Sequence, residues 1–192
     1  MTVLADHQIK ELCVGVGGKP LITRFSDKQV RVNARGESII SYGLSSYGYD
    51  LRVGNQFKIF TNAFNTVINP KDFSDRSFVD HTGDVCIIPP NSFVLAASAE
   101  KISMPENLVG VVLGKSTYAR CGIECLATPL EPGWEGYVTL EFANTTPLPA
   151  MLFAGEGACQ VLFFQGEKCM TSYADRKGKY QNQVSGPVTP RV

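Results

Sequence analysis

The chain has 192 residues, a length typical of one domain that buries a sizeable hydrophobic core without disulfide or metal cross-links. Its 18 basic and 18 acidic side chains balance, so the sequence lacks the net positive charge that drives nonspecific binding to nucleic acid. No segment approaches the roughly 20 consecutive apolar residues that cross a bilayer. We therefore expect one cytoplasmic domain over residues 1–192, with no nucleic-acid or membrane partner.

The predicted elements begin with a short helix and continue as strands. Apolar residues at helical spacing predict a helix over residues 3–12, with Thr2 or Asp6 as its N-cap. Short runs rich in β-branched and aromatic residues then predict strands at 29–32, 38–41, 49–53, 57–60, 85–88, 93–96, 108–113, 137–142, 151–153 and 159–164. Gly, Pro, Asn and Asp separate these runs, and residues 116–121 fit one or two helical turns. This pattern indicates an all-β sandwich or barrel.

Six cysteines lie in mostly apolar segments, which favours free and largely buried thiols. Cys121 and Cys125 are spaced C-x3-C, but the two histidines, His7 and His81, are far away in the sequence. Structural zinc needs about four ligands at suitable spacings. We therefore expect no zinc site.

The segment Gly114-Lys115-Ser116-Thr117 looks like the end of a Walker A loop but is not one. The upstream glycine is Gly110, which leaves three intervening residues where four are required, and the surroundings are β-rich. A glycine, a lysine and two hydroxyls at the end of a strand nevertheless suit phosphate oxygens. Phosphate binding and an ordinary strand-to-helix turn both fit this segment.

A cation and a carboxylate follow within 30 residues. Arg120 lies four residues after Ser116, so both side chains project from the same side of a helical turn. The strand period places Glu141 on the same face as Tyr137 and Thr139, which is the more polar face of the strand. Both residues also have an ordinary interpretation. Arg120 is then a surface arginine whose stem covers apolar area, and Glu141 is a solvated carboxylate.

The tail over residues 173–192 is polar and contains several cationic and amide side chains. A flexible terminus is one interpretation. Closure of the tail over an anion is the other.

Several motifs together resemble the dCTP deaminases of the dUTPase superfamily. They are G-K-S-T-Y-A-R-C-G at 114–122, T-P-L-E-P at 128–132, W-E-G-Y-V-T-L-E-F at 134–142, N-T-T-P-L-P-A at 144–150, Q-V-L-F-F at 160–164 and S-Y-A-D-R-x-G-K-Y-Q-x-Q at 172–183. Segments 41–52 and 84–93 are similar as well. The resemblance covers residues 40 to 184 approximately.

This resemblance implies a distorted β-barrel or jelly roll, a homotrimer with active sites at subunit interfaces, and Mg²⁺ accompanying a triphosphate. It implies that Glu141 shuttles protons while Ser116 and Arg120 shape the site of the attacking water. The residues implied for the triphosphate are Lys115, Ser116, Thr117, Tyr173, Lys179 and Gln183, with residues 173–192 as an arm that closes the site. Those implied for the base and sugar are Ala127, Thr128, Glu131, Trp134 and Tyr137, with Glu131 near the sugar hydroxyl.

The chemistry of cytosine deamination suits these residue types. Water must attack C4 of the base, a proton must reach N3, and ammonia must leave, so one partly desolvated carboxylate can carry the proton through the reaction. Zinc deaminases use a His/Cys-x-E and P-C-x-x-C ligand set, which this sequence lacks. We therefore expect metal-free conversion of dCTP to dUTP and ammonia. Arg120 is expected to offset the cost of burying charged Glu141.

One segment departs from the family pattern. The family usually has an aliphatic-Asn-Val-Thr-Pro run where this chain has residues 124–129, so Ala127 replaces a larger side chain beside the base pocket. One alternative is therefore a deaminase that prefers a C5-substituted substrate such as 5-methyl-dCTP, giving dTTP. Others are a dUTPase, a bifunctional deaminase-dUTPase, and a noncatalytic nucleotide-binding protein, against which Glu141 argues.

Overall fold

The computed structural model describes residues 1–15 and 18–192, which form twelve strands, two short α-helices and one 3₁₀ turn. The strands are β1 (Thr2–Val3), β2 (Val30–Val32), β3 (Ser38–Leu44), β4 (Tyr49–Phe60), β5 (Phe78–Thr82), β6 (Val85–Ile88), β7 (Ser92–Ser103), β8 (Leu108–Gly114), β9 (Ile123–Leu126), β10 (Glu135–Asn144), β11 (Ala150–Phe153) and β12 (Gly157–Gln165). The helices are α1 (Asp6–Val14) and α2 (Ser116–Ala119), and the 3₁₀ turn is Asp75–Ser77. The predicted all-β fold with a short N-terminal helix is confirmed.

Helix α1 starts later than predicted, because the residues before it form a strand. Thr2 and Val3 pair with β12 instead of entering the helix. The N-cap is Ala5 and not Thr2 or Asp6, and the side chain of Gln8 accepts a hydrogen bond from the Ala5 N–H at 3.0 Å. This bond satisfies one donor at the helix start without a capping hydroxyl or carboxylate.

The main sheet has ten antiparallel strands and is organised around the long strand β4. Its first half pairs with β3 and β12, whereas its second half pairs with β5 and β7. Strands β10 and β9 extend the sheet beyond β7, and β8 pairs with β12. Strands β6 and β11 form a separate two-stranded sheet.

The prediction of two strands at 49–53 and 57–60 was wrong, because Gly54 lies within β4 and does not end it. The pairing of β4 with β7 shifts its register between Val53 and Phe57. A Cβ at Gly54 would lie 3.1 Å from the carbonyl oxygen of Ala97, so the glycine permits a close approach of the two strands. Strands β1, β5 and β9 were not predicted.

The hydrophobic core is formed by inward-facing residues of these strands and by Ile9 of α1, which is fully buried. Its largest fully buried side chains include Tyr49, Phe57, Phe142 and Phe163. All six cysteines are free thiols, as predicted. In the described ranges no helix is long and apolar enough to cross a bilayer.

Candidate active site

Glu141 lies near the middle of β10, on the half-buried face of the strand. Alternate residues of β10 are buried and half-buried, as its period predicts. The residues directly opposite Glu141 are Leu95 on β7 and Leu126 on β9. Because opposite residues of antiparallel strands project to the same face, the carboxylate lies between two leucine side chains.

A cavity of about 610 Å³ opens over this face, within the size range of small-molecule sites. Most of its lining is apolar, with a few polar groups that include Glu131, Thr139, Glu141 and Gln183. The connection before β5, the strands β5, β7 and β10, the loop between β9 and β10, and the C-terminal tail contribute residues to it: Phe73, Phe78, Phe93, Leu95, Ala127, Thr128, Pro129, Leu130, Glu131, Trp134, Val138, Thr139, Glu141, Tyr173, Tyr180, Gln183, Val188 and Pro190.

Burial in this cavity raises the pKa of Glu141 from its ordinary value of 4.5 to about 7. Loss of solvent is the dominant cause, and only a backbone hydrogen bond at Glu141 itself opposes it. Within one described chain, no cationic side chain contributes to this pKa, so the expected effect of Arg120 is not present there. A carboxyl group with this pKa is populated in both protonation states near neutral pH, as a proton shuttle requires.

The C-terminal tail lies against the start of β10. The Asn182 N–H donates to Glu135 O at 2.8 Å, and the Tyr137 N–H donates to Gln183 O at 3.0 Å. A Cβ at Gly136 would lie only 2.8 Å from the Gln183 nitrogen, so a larger side chain at that position would displace the tail. The tail therefore continues the sheet as a short parallel segment.

Side chains also attach the tail to the cavity. The Trp134 indole N–H donates to Tyr180 O at 2.9 Å. The hydroxyl of Thr139, which neighbours Glu141 on the same face, accepts hydrogen bonds from the side-chain amide of Gln183 and from the Val188 N–H. Residues 173–190 thus form one wall of the cavity that contains Glu141.

The structure brings most of the residues expected for the base, sugar and tail to this cavity. Ala127, Thr128, Glu131, Trp134, Tyr173 and Gln183 line it. Glu131 forms an ion pair with Arg176 of the tail. Lys179 does not line the cavity and instead donates to Arg191 O at 2.7 Å.

Tyr137 also lies outside the lining, although the sequence predicted it near the base. It lines a separate groove with Ser98 and Gly54. The pairing of β10 with β7 shifts its register between Tyr137 and Thr139, which separates these two positions. Val138 and Thr139 line the cavity in place of Tyr137.

The predicted phosphate segment and Arg120 lie elsewhere in the same chain. Ser116, Thr117 and Arg120 are exposed, while Tyr118 is buried against Phe142 with ring centroids 5.8 Å apart. Helix α2 leads into β9, where Ile123 is opposite Asn144 and Leu126 is opposite Glu141. Since strands rise about 3.3 Å per residue, Ile123 is already about 10 Å from the level of Glu141. Ser116 and Arg120 precede Ile123 in the chain and so lie beyond this end of β9, away from Glu141. A single chain therefore does not bring Glu141, Ser116 and Arg120 together.

Sequence reasoning missed an aromatic wall of the cavity. Phe73 and Phe78 have ring centroids 5.5 Å apart, and Phe78 lies 5.8 Å from Phe93. Phe78 begins β5, a strand that was not predicted, and Phe73 lies in the long connection before it. No polar motif marks these positions, so only the folded sheet shows that they lie in the same cavity as Glu141.

The described residues do not supply a dedicated metal site. Across residues 1–15 and 18–192, no group of three or more His, Cys, Asp or Glu side chains is arranged to hold a metal ion. Magnesium commonly binds through substrate phosphates, water and one or two carboxylates, and does not then need a complete protein site.

Comparison with known proteins agrees with the resemblance seen in the sequence. The profile of the dCTP deaminase-like family matches residues 3–166. The dCTP deaminases of Albidiferax ferrireducens and Acidobacterium capsulatum are each 56% identical to this chain over 193 residues, covering 100% of both chains. That of Leptothrix cholodnii is 54% identical over the same coverage.

A solved structure shows the same fold. The 2'-deoxycytidine 5'-triphosphate deaminase from Agrobacterium tumefaciens superimposes with a TM-score of 0.63 at 15% identity. The match covers 88% of this chain and 49% of that one, so this chain spans about half the length of that protein.

Proposed function

The chain belongs to the dCTP deaminase-like family, and we propose that it hydrolyses dCTP to dUTP and ammonia with Glu141 as the proton shuttle. The observation that carries the proposal is the half-buried Glu141 in a nucleotide-sized cavity, with a pKa raised to about 7. The full-length identity to curated dCTP deaminases supports the choice of substrate.

The proposed reaction uses one carboxylate twice. Ionised Glu141 takes a proton from water, the hydroxide attacks C4 of cytosine, and the proton is delivered to N3. Glu141 then takes the proton of the new C4 hydroxyl and gives it to the exocyclic nitrogen, so that the C4–N bond breaks and ammonia leaves as the C4 carbonyl forms. A carboxyl group whose pKa is near the working pH can both accept and return the proton.

We propose that a second copy of the chain completes the site, within a homotrimer. The exposed Ser116, Thr117 and Arg120 lie on α2, away from Glu141 of their own chain. Next to the end of β8, Leu113 and Leu126 are exposed apolar side chains, which favours their burial between copies. In a closed ring with such head-to-tail contacts, α2 of one copy would lie against the cavity of the next.

We propose that Mg²⁺ enters with the triphosphate and is held by phosphate oxygens and water. It would neutralise charge on the triphosphate, and no proton transfer described above requires it. The residues that we propose to contact the phosphates directly are Lys115, Ser116 and Thr117 from one copy, and Tyr173, Lys179 and Gln183 from the tail of another.

Product analysis tests the proposed function. The purified protein is incubated with each deoxynucleoside triphosphate and Mg²⁺, and the products are identified by mass. We expect dUTP and ammonia from dCTP, and no reaction from the Glu141→Gln variant. Pyrophosphate release from dUTP would instead indicate a dUTPase or bifunctional enzyme, and absence of any product with every triphosphate would contradict an enzyme of this class.

A C5-substituted substrate is a second candidate, favoured by the apolar residues on both sides of Glu141. Leu95 lies on the β7 side, while Leu126 and the cavity-lining Ala127 lie on the β9 side. Because C5 is adjacent to the reacting C4, a methyl group at C5 would lie close to the apolar side chains Leu95 and Ala127 of the cavity. The reaction would convert 5-methyl-dCTP and water to dTTP and ammonia.

Steady-state kinetics on the two substrates separate these candidates. A preference for 5-methyl-dCTP of about tenfold in kcat/KM is the size that one well-accommodated methyl group provides. Ala127→Val should then reduce the use of 5-methyl-dCTP more than that of dCTP. Equal or poorer use of the methylated substrate by the unmodified enzyme would eliminate this candidate and leave dCTP.

A further inference from the structure

Strand β7 carries a bulge opposite the part of β10 that borders the cavity. Thr139 of β10 is opposite Ala97. Two residues earlier Tyr137 is opposite Lys101, so three residues of β7 face the single residue Val138. A bulge interrupts the regular ladder, and the buried backbone groups that face it need other partners. How β10 continues into the cavity therefore depends on what the bulge offers to Val138.

The hydroxyl group of Ser98 supplies this partner. The Val138 N–H donates to Ser98 Oγ at 2.9 Å, and the Ser98 hydroxyl donates to Glu100 O at 2.6 Å. Ser98 and Val138 are only 3% and 4% exposed, so water has little access to either group. One hydroxyl is thus an acceptor toward β10 and a donor within the bulge.

The carboxylate of Glu100 attaches the bulge to β4 on its other side. Its oxygens accept the Arg52 backbone N–H at 3.0 Å and the Arg52 Nε–H at 2.6 Å, and the side chain is fully buried. The same guanidinium donates to Arg24 O at 3.0 Å and lies over the Tyr42 ring. Side-chain hydrogen bonds therefore hold the bulge to both neighbouring strands, which opposes a change of register.

The register of β10 determines where Glu141 projects. A slip of one residue would turn each side chain of β10 to the opposite face, and Glu141 would leave the cavity. We propose that Ser98 is a positioning residue for deamination, because its hydroxyl holds the Val138 N–H and with it the strand segment that presents Thr139 and Glu141 to the substrate. This inference rests on the proposed function, since it concerns how the catalytic carboxylate is held.

Hydrogen exchange of the unmodified protein tests the bond without mutation or substrate. Exchange is measured at single amides by mass spectrometry with electron-transfer fragmentation. We expect the Val138 amide to exchange as slowly as that of Leu140, which lies opposite Ala96 in the regular ladder. Rapid exchange at Val138 beside a protected Leu140 would overturn the proposal.

A matched pair of variants isolates the hydroxyl. Ser98→Thr keeps it, whereas Ser98→Val replaces it by a methyl group in a side chain of the same shape. Ser98 borders the groove that contains Tyr137, so both larger side chains can extend into that groove, and any strain is common to the two. We expect kcat for dCTP to be about 10- to 100-fold lower in Ser98→Val than in Ser98→Thr, because small displacements of catalytic groups have effects of this size. Exchange at Val138 should be about tenfold faster in Ser98→Val.

The control is the same pair of substitutions at Ser103, which lies on β7 where the pairing with Glu135 of β10 is regular. Ser103→Thr and Ser103→Val should have equal kcat. All variants are assayed at a temperature at which circular dichroism shows them fully folded. If Ser98→Val does not fold, Ser98→Ala removes the hydroxyl without adding bulk and takes its place in the comparison.

Equal kcat in Ser98→Thr and the variant without the hydroxyl would overturn the proposal, even if that variant melts at a lower temperature, because the hydroxyl would then contribute stability alone. The exchange measurement requires no turnover. Failure of the proposed function would therefore appear as no deamination by the unmodified protein. Failure of this inference would appear as an unprotected Val138 amide or as a kcat that does not respond to loss of the hydroxyl.

Discussion

Glu141 shows how a single side chain combines a stability cost with a chemical use. Its ordinary pKa of 4.5 rises to about 7 because leucines and the cavity walls remove solvent from the carboxylate. The folded chain therefore binds this proton more tightly than the unfolded chain does. Stability from this group is complete below about pH 4.5 and is lost as the pH rises to about 7.

Glu141→Gln should consequently stabilise the fold while it abolishes turnover. Because Glu141 is only half-buried, the gain at pH 8 should be on the order of 1 to 2 kcal/mol in the free energy of unfolding. At pH 4 the gain should disappear, since Glu141 is then protonated in both states. Urea unfolding at the two pH values measures this, with the exposed Glu124→Gln as control, and an equal gain at both would contradict the assignment.

The dependence of kcat/KM on pH should show whether Arg120 of a second copy lies beside Glu141. If α2 of a second copy brings Arg120 to the site, Arg120 lowers the pKa of Glu141 in the assembled enzyme, and kcat/KM falls only at lower pH. Arg120→Met should then move this acidic limb upward by about one pH unit or more, toward 7. Arg35→Met, in an exposed turn, should leave the limb in place. A limb that does not move would exclude contact between Arg120 and Glu141.

At the scale of elements, the attachment of the tail to β10 depends on few groups. The Thr139 hydroxyl accepts from both Gln183 and Val188, so Thr139→Val would leave two donors without their partner. Loss of such bonds costs roughly 1 to 2 kcal/mol, which predicts about tenfold faster trypsin cleavage after Lys177 and Lys179. Thr82→Val, at an exposed position of β5, provides the comparison, and equal cleavage rates in both variants would show that Thr139 does not hold the tail.

Much of the fold was predictable because the sequence pattern and the packing agree. The strand that contains Glu141 has a clear two-residue period, and burial follows it from Glu135 to Asn144. Gly54 was misread as a break because a glycine that allows two strands to approach closely has the same local signal as a turn. Short strand β9 was missed because its pairing with β10 is a long-range contact.

The candidate site was predictable in part for a similar reason. Glu131, Trp134 and Glu141 belong to two adjacent motifs, at 128–132 and 134–142, and the structure brings all three to one cavity. Phe73 and Phe93 reach that cavity only through the sheet order β5-β4-β7-β10, which local patterns do not specify. The buried pairing of Lys115 with Asp50, 65 residues apart, was hidden from sequence reasoning by the same limitation.

For the whole molecule, the separation of Arg120 from Glu141 predicts that the inactive Glu141→Gln variant and the impaired Arg120→Met variant restore activity when they are combined. Glu141→Gln and Arg120→Met proteins are mixed after reversible dissociation, and activity is compared with each protein alone. Random assembly of cyclic trimers leaves about one quarter of the sites with both unmodified residues, so about a quarter of the full activity should return. No recovery, despite mass-spectrometric evidence of mixed trimers, would contradict a site shared between copies.

The hydrogen bond from the Trp134 indole to Tyr180 O places a fluorescent side chain where the C-terminal tail contacts the rest of the protein. Trp134 is the sole tryptophan in the sequence, and its indole is almost fully buried. Release of the tail would expose the indole to water, so its emission should shift to longer wavelength when residues 173–192 are removed. Opening and closing during turnover can therefore be followed optically in the unlabelled protein, and an unchanged spectrum after truncation would show that the tail does not shield Trp134.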